Sequence, residues 1–291
     1  MTHSSRRTLV IAATVSVLGT VTPARSQTVE DSAAGDANGV GDARGALRPG
    51  ATGKPIKALP CRPTIACTAE IVPGGAIELE SGYLGRRARG DGGITHTEQS
   101  LLKVSLTDWL QLQSLSNYVW LRRPHEGSRY LDGITNGAKL VLAEQSATMP
   151  ALSISGLFGM PTSSSPLREV STYDTYGWAY ASKDFGFVHA DLNAGLDLLN
   201  LGGAVEFQPI VALSVSEDVG AGFGVLEELY AYDNLTRQRL DDGGFLFGVT
   251  YSPIDELVID LGGDVGFAPS QRQGSAFLGF TYVDHHLVAR R

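Results

Sequence analysis

The ionisable residues best placed to act together are Glu78, Glu80, Lys103, Lys139, Lys183, His189, Asp191, Asp197, Glu228, Asp260 and Asp264. All fall on the polar side of a two-residue alternation, so they are expected to share one interior. Charged side chains ringing an interior can sort solutes by field at a constriction. The competing reading is that opposite charges pair across the interior and fill it. His189 and Asp191, with Ser153 or Ser155, also raise nucleophilic catalysis of the lipid-hydrolase kind. That chemistry needs nucleophile, base and orienting group to meet in space, with the nucleophile open to the lipid-facing surface. These positions are expected to line an interior instead, so the expectation is no enzyme and no cofactor. His285-His286 without further ligands makes a weak metal site. Gly220-Ala-Gly-Phe-Gly224 lacks the Gly-Lys-Ser/Thr of a nucleotide loop and reads as strand glycine.

The elements that must position these residues follow from the alternation itself. From Ala76 to Val283, short segments alternate apolar and polar residues between Gly, Asp or Pro punctuation. Val188, Ala190, Leu192, Ala194 and Leu196 point one way, and His189, Asp191, Asn193, Gly195 and Asp197 the other, as on a strand. Twelve strands are expected at 76–86, 95–106, 109–120, 131–144, 150–160, 172–183, 185–198, 205–216, 219–232, 243–252, 255–267 and 275–283. Short connections at Thr107-Asp108, Gln145–Met149, Asp184, Glu217-Asp218 and Pro253-Ile254 alternate with mostly longer ones, including 121–130 and 233–242. Long-short alternation is what a barrel gives when both termini lie on the periplasmic side.

The aromatics sort roughly by end. Trp109, Phe185, Phe187, Tyr251 and Tyr282 lie near the short turns. Tyr83, Tyr118, Trp120, Tyr173, Tyr176, Tyr230, Tyr232, Phe245 and Phe267 lie near the long loops, while Trp178, Tyr180 and Phe247 sit deeper. Two such belts are expected at the two membrane interfaces. Apolar faces such as Phe245, Phe247, Val249, Tyr251 and Leu257, Ile259, Leu261, Val265 are expected outside. Parity alone allows the inverse, a soluble barrel with those faces inward. The signal sequence, the belts and the charged face favour an all-β, antiparallel transmembrane β-barrel.

Residues 1–26 read as an export signal: Arg6-Arg7, a mostly apolar stretch from Leu9 to Val21, and Ala24-Arg25-Ser26 as cleavage site. No later apolar run approaches the ~18 residues of a spanning helix, and a mean hydropathy of −0.01 suits a barrel. Residues 27–72, rich in Gly, Ala, Ser, Pro and Asp, are expected to be a disordered periplasmic segment. Cys61 and Cys67 are a disulfide candidate there, a clip near the barrel mouth. The barrel is expected over 73–283, with a tail at 284–291. The formal charge is −8. No basic patch forms, so nucleic acid is not an expected partner.

Leu106-Thr-Asp-Trp-Leu-Gln-Leu-Gln113, Pro150-Ala-Leu-Ser-Ile-Ser-Gly-Leu-Phe-Gly-Met-Pro-Thr162, Ala181-Ser-Lys-Asp-Phe-Gly186 and Tyr251-Ser-Pro-Ile-Asp-Glu-Leu257 occur in that order. Over about 74–283 the chain resembles the outer-membrane family labelled "MetA-pathway of phenol degradation". The resemblance implies a barrel in the outer membrane of a Gram-negative bacterium, taking up small, aromatic or hydrophobic molecules. Outer-membrane lipid, a small solute and the barrel-assembly machinery are then the expected partners. One departure concerns assembly: outer-membrane barrels usually end on an aromatic residue, whereas here Tyr282-Val283 is followed by Asp-His-His-Leu-Val-Ala-Arg-Arg.

Overall fold

A computed structural model describes residues 56–62, 64–87, 93–122, 127–164, 173–201, 204–233, 242–267 and 274–284. The signal, residues 27–55 and the tail from His285 onward lie outside the described residues. Twelve antiparallel strands form one sheet that closes on itself, β12 pairing with β1. In chain order they are β1 (Ile77–Arg87), β2 (Ile94–Ser105), β3 (Leu110–Arg122), β4 (Gly127–Ala143), β5 (Ala151–Gly159), β6 (Asp174–Phe185), β7 (Val188–Leu201), β8 (Ala204–Gly220), β9 (Phe223–Tyr232), β10 (Asp242–Ile254), β11 (Leu257–Gly266) and β12 (Gly274–Asp284). Closure leaves no strand edge unpaired, which is the condition for crossing hydrocarbon with strands.

The alternation resolves with the apolar face outward. Leu192, Leu196, Val211, Leu213, Phe245, Phe247, Val249, Ile259, Leu261, Leu278 and Phe280 are exposed, while Asp191, Asn193, Ser214, Glu228, Leu246, Asp260, Phe277 and Thr281, at alternate positions, are buried. A water-soluble barrel has the opposite sense, so this exterior is one that hydrocarbon, not water, stabilises.

Three short turns fall two to four residues later than the composition implied. Asp184, Glu217-Asp218 and Pro253-Ile254 belong to strands, and the turns are Gly186-Phe187, Ala221-Gly222 and Asp255-Glu256. Gly186 has φ +76°, Ala221 +55° and Gly222 +79°. The first two reversals fall where glycine lets the chain turn left-handed and not at the first acidic residue, whereas Asp255-Glu256 reverses without positive φ. At the other end β3, β4, β7 and β8 extend into 121–130 and 199–204, shortening those loops.

The short-turn belt is present: Trp109, Phe185, Phe187, Tyr251 and Tyr282 are exposed, and Phe223 joins them. The long-loop belt is thinner than expected. Tyr83, Tyr118, Tyr173, Phe245 and Phe267 face out, but Tyr230 turns inward to bond Asp264. Tyr232 packs on Tyr230, and Tyr176 reaches Asp174.

A candidate solute lumen and the segment that fills it

Residues 56–76 differ most from the expectation for the region before the barrel. This stretch packs inside the barrel at its short-turn end. Ala58 N–H donates to Asp255 O at 2.9 Å, and Ile56, Ala58, Val72 and Ala76 pack on Val258 and Val283. Between those points the chain crosses the lumen. Cys61 and Cys67 are disulfide-bonded, with Cα atoms 4.6 Å apart. The clip therefore lies against the inner wall. The described part of the expected disordered segment is corrected accordingly: its backbone polar groups are taken up by buried wall side chains.

The contacts pair segment donors and acceptors with inward residues of six strands, β1, β2, β4, β6, β9 and β11. Glu78 of β1 accepts Leu59 N–H at 2.7 Å. Glu80 accepts Cys61 N–H at 3.0 Å and Arg62 N–H at 2.7 Å. Glu228 of β9 accepts Ile65 N–H at 2.9 Å and Ala66 N–H at 2.7 Å. Ser182 of β6 accepts Ala69 N–H at 2.5 Å and itself donates to Asp191 at 2.5 Å. Lys103 of β2 donates to Leu59 O at 2.8 Å and to Glu78 at 2.6 Å, and also pairs with Glu80. Lys139 of β4 donates to Thr68 O, and to Glu70 O at 3.4 Å, with its ammonium 4.3 Å from the Tyr180 ring centroid. Asp260 of β11 meets the Arg62 guanidinium at 3.1 Å. Beside the segment, between Cys67, Glu70, Gln111, Gln113 and Lys139, about 10 Å³ of free volume remains, enough for about one water.

The expected interior residues are thus mostly brought together. Glu78, Glu80, Lys103, Lys139, Asp191, Asp197, Glu228 and Asp260 are buried inward. Asp264 takes Tyr230 and Ser275 hydroxyls nearer the long loops. His189 sits at the short-turn end between Asp184, at 2.6 Å, and Asp191, at 3.0 Å. Lys183 is the exception. Pairing of Ser182 with Asp191 puts Lys183 beside Ala190 on the other face, where it donates to the carbonyls of Ser146, Ala147 and Met149. The hydrolase arrangement is not made by the named residues either. Ser182 bonds the carboxylate rather than the imidazole, Ser155 bonds Tyr180 at 2.7 Å, and Ser153 is buried without a partner.

Arg62 and Ser182 were not among the residues singled out in the sequence. Arg62 lies in a stretch without periodicity, so nothing local marks it. Ser182 follows from register only: β6 carries Trp178, Tyr180 and Ser182 on its inward side, a face that composition alone reads as outward.

No protein-family profile and no curated protein matches the chain. Solved structures do. The COG4313 outer membrane channel from Pseudomonas putida F1 superposes with a TM-score of 0.59 at 14% identity, covering 74% of this chain and 98% of that one. The KdgM porin in complex with disordered oligogalacturonate superposes with a TM-score of 0.51 at 10% identity, covering 70% and 98%. At such identities the likeness is one of fold: this chain's closed twelve-stranded barrel shares the fold of outer-membrane channels.

Proposed function

We propose that the chain is an outer-membrane channel for small solutes, and that residues 56–73 hold its lumen closed. Export through residues 1–26, contact of the apolar face with outer-membrane lipid, and insertion by the barrel-assembly machinery belong to this reading. The resemblance to the MetA-pathway family supports it, as does the fold shared with known channels.

One observation carries the proposal. The wall's buried charges are satisfied to a large extent by the backbone of a segment that is not part of the wall. A barrel filled only for strength would be more stable with apolar residues in these positions, because buried ions return little beyond their desolvation cost. A polar wall matched to a separable strip of chain makes sense if the strip leaves and solute replaces it. The oligogalacturonate bound to KdgM is a polyacid and does not suit this lumen, where inward carboxylates outnumber inward Lys and Arg among the described residues.

Solute flux into liposomes tests the reading, with full-length wild type beside E228Q/K139M, which removes two anchors of the segment. Flux above protein-free liposomes is expected, and severalfold more from the variant. The filled lumen also favours a second reading, a structural or adhesion barrel whose loops around 121–130 and 233–242 bind partners. Absence of flux from both proteins, with partner binding lost on loop deletion, would establish that one instead.

A further inference from the structure

The Arg62 guanidinium occupies a place built from three adjacent strands. Asp260 of β11, Gly279 of β12 and Gly82 of β1 lie in one row of the sheet. Neither glycine carries a side chain into the lumen, and the guanidinium lies over both, where a Cβ on either would overlap it. Its Nη2 donates to Asp260 at 3.1 Å and to Ser81 O at 3.1 Å. The neighbouring inward positions of β12 are Phe277, 2% exposed, toward the long loops, and Thr281, fully buried, toward the short turns. A flat floor with a carboxylate and a carbonyl at one end are the features that recognise a planar cation.

Arg62 fills this place incompletely. Its Nε and Nη1 are buried without a hydrogen-bond partner, and so is the hydroxyl of Thr281, the adjacent inward residue. These arginine donors stay unmatched while the residue is tethered through a backbone held by Glu80. An untethered guanidinium is free to turn in the plane and use more of its donors.

We infer that the Gly82–Gly279–Asp260 slot is a solute-binding site for guanidinium compounds with a short apolar stem, and that Arg62 is its built-in occupant. The inference rests on the channel reading above in one respect: the solute must displace the segment that carries Arg62. A compact ammonium meets Asp260 but leaves the glycine floor uncovered, and a neutral urea covers the floor without pairing the carboxylate.

Calorimetric titration of full-length Arg62→Ala in detergent with ethylguanidinium, ethylammonium and ethylurea tests the site. Ethylguanidinium is expected to bind at least about tenfold tighter than either comparator, since each lacks the charge or the plane that makes the charge-assisted contacts. Adding Gly279→Ala should abolish that binding, and wild type should bind more weakly than Arg62→Ala because Arg62 competes. Equal binding of ethylurea, or binding indifferent to Gly279→Ala, would overturn the inference. If Arg62→Ala gives no heat-modifiable barrel, Arg62→Lys, which keeps the charge and vacates the plane, carries the same comparison. Binding without liposome flux from E228Q/K139M would remove the channel reading and leave the site, and flux without binding would do the reverse.

Discussion

Glu80 joins the wall to the segment through a single carboxylate. It is fully buried, accepts the amides of Cys61 and Arg62, and pairs with Lys103. Glutamine at this position keeps the shape but gives up the charge that all three contacts use. Hydrogen bonds to charged groups contribute about 1.5–3 kcal/mol each, and some of the loss is returned because Glu78 still holds Lys103, so Glu80→Gln should cost about 2–4 kcal/mol. The temperature at which the gel mobility shift of the barrel is lost should fall, and solute flux should rise. A variant within about 0.5 kcal/mol of wild type, the range of an ordinary surface change, would mean that the carboxylate does not hold the segment. Glu80 was legible as an inward charge from alternation alone. Its partners were not, because they are backbone amides of a region with no period of its own, and only the closed wall brings them near.

The strands themselves were readable because the side-chain period of two is local, and the apolar face repeats it on nearly every strand. Their ends were not equally readable, since hydrogen bonding continues past Asp184 and Asp218 until left-handed backbone, at Gly186 and at Ala221-Gly222, allows the reversal. Ala221 is instructive here: it is the non-glycine residue at positive φ among those described, followed by Gly222. Left-handed backbone costs a residue with a Cβ roughly 1 kcal/mol relative to glycine, and Asn tolerates it better than alanine. Ala221→Asn creates an Asn-Gly hairpin turn and should raise the urea midpoint of the lipid-embedded barrel by an amount corresponding to about 0.5–1 kcal/mol. A destabilised variant would show that the turn is not of the left-handed type. Gly82 and Gly279 illustrate the opposite limit of legibility. A glycine gives no sign in the sequence of whether its missing side chain relieves a strand bend or makes room, and only the register that sets the two beside Asp260 distinguishes these cases.

For the molecule as a whole, the outer and inner surfaces are those of a soluble protein turned inside out, and this has a depth-dependent consequence. Leu261, in the middle of β11, is 59% exposed, and Val219, beside the Ala221-Gly222 turn, is equally exposed at 59%. In water the two would tolerate arginine alike, since exposure is the same. In a bilayer they would not, because Leu261 lies toward the hydrocarbon midplane and Val219 at the interface with its aromatic belt. Arginine costs about 2–4 kcal/mol at the midplane of a barrel and about 0–1 kcal/mol near the interfaces. Leu261→Arg should therefore lower the unfolding free energy in lipid vesicles by at least about 2 kcal/mol more than Val219→Arg, as read from urea titrations. In detergent micelles, which deform around a charge more readily than a bilayer, the difference should shrink. Equal effects of the two substitutions in vesicles would mean that the apolar exterior is not facing hydrocarbon. The lumen would then have to be understood as the core of a soluble or assembled particle, and the polar wall with its inserted segment would lose its reading as a passage.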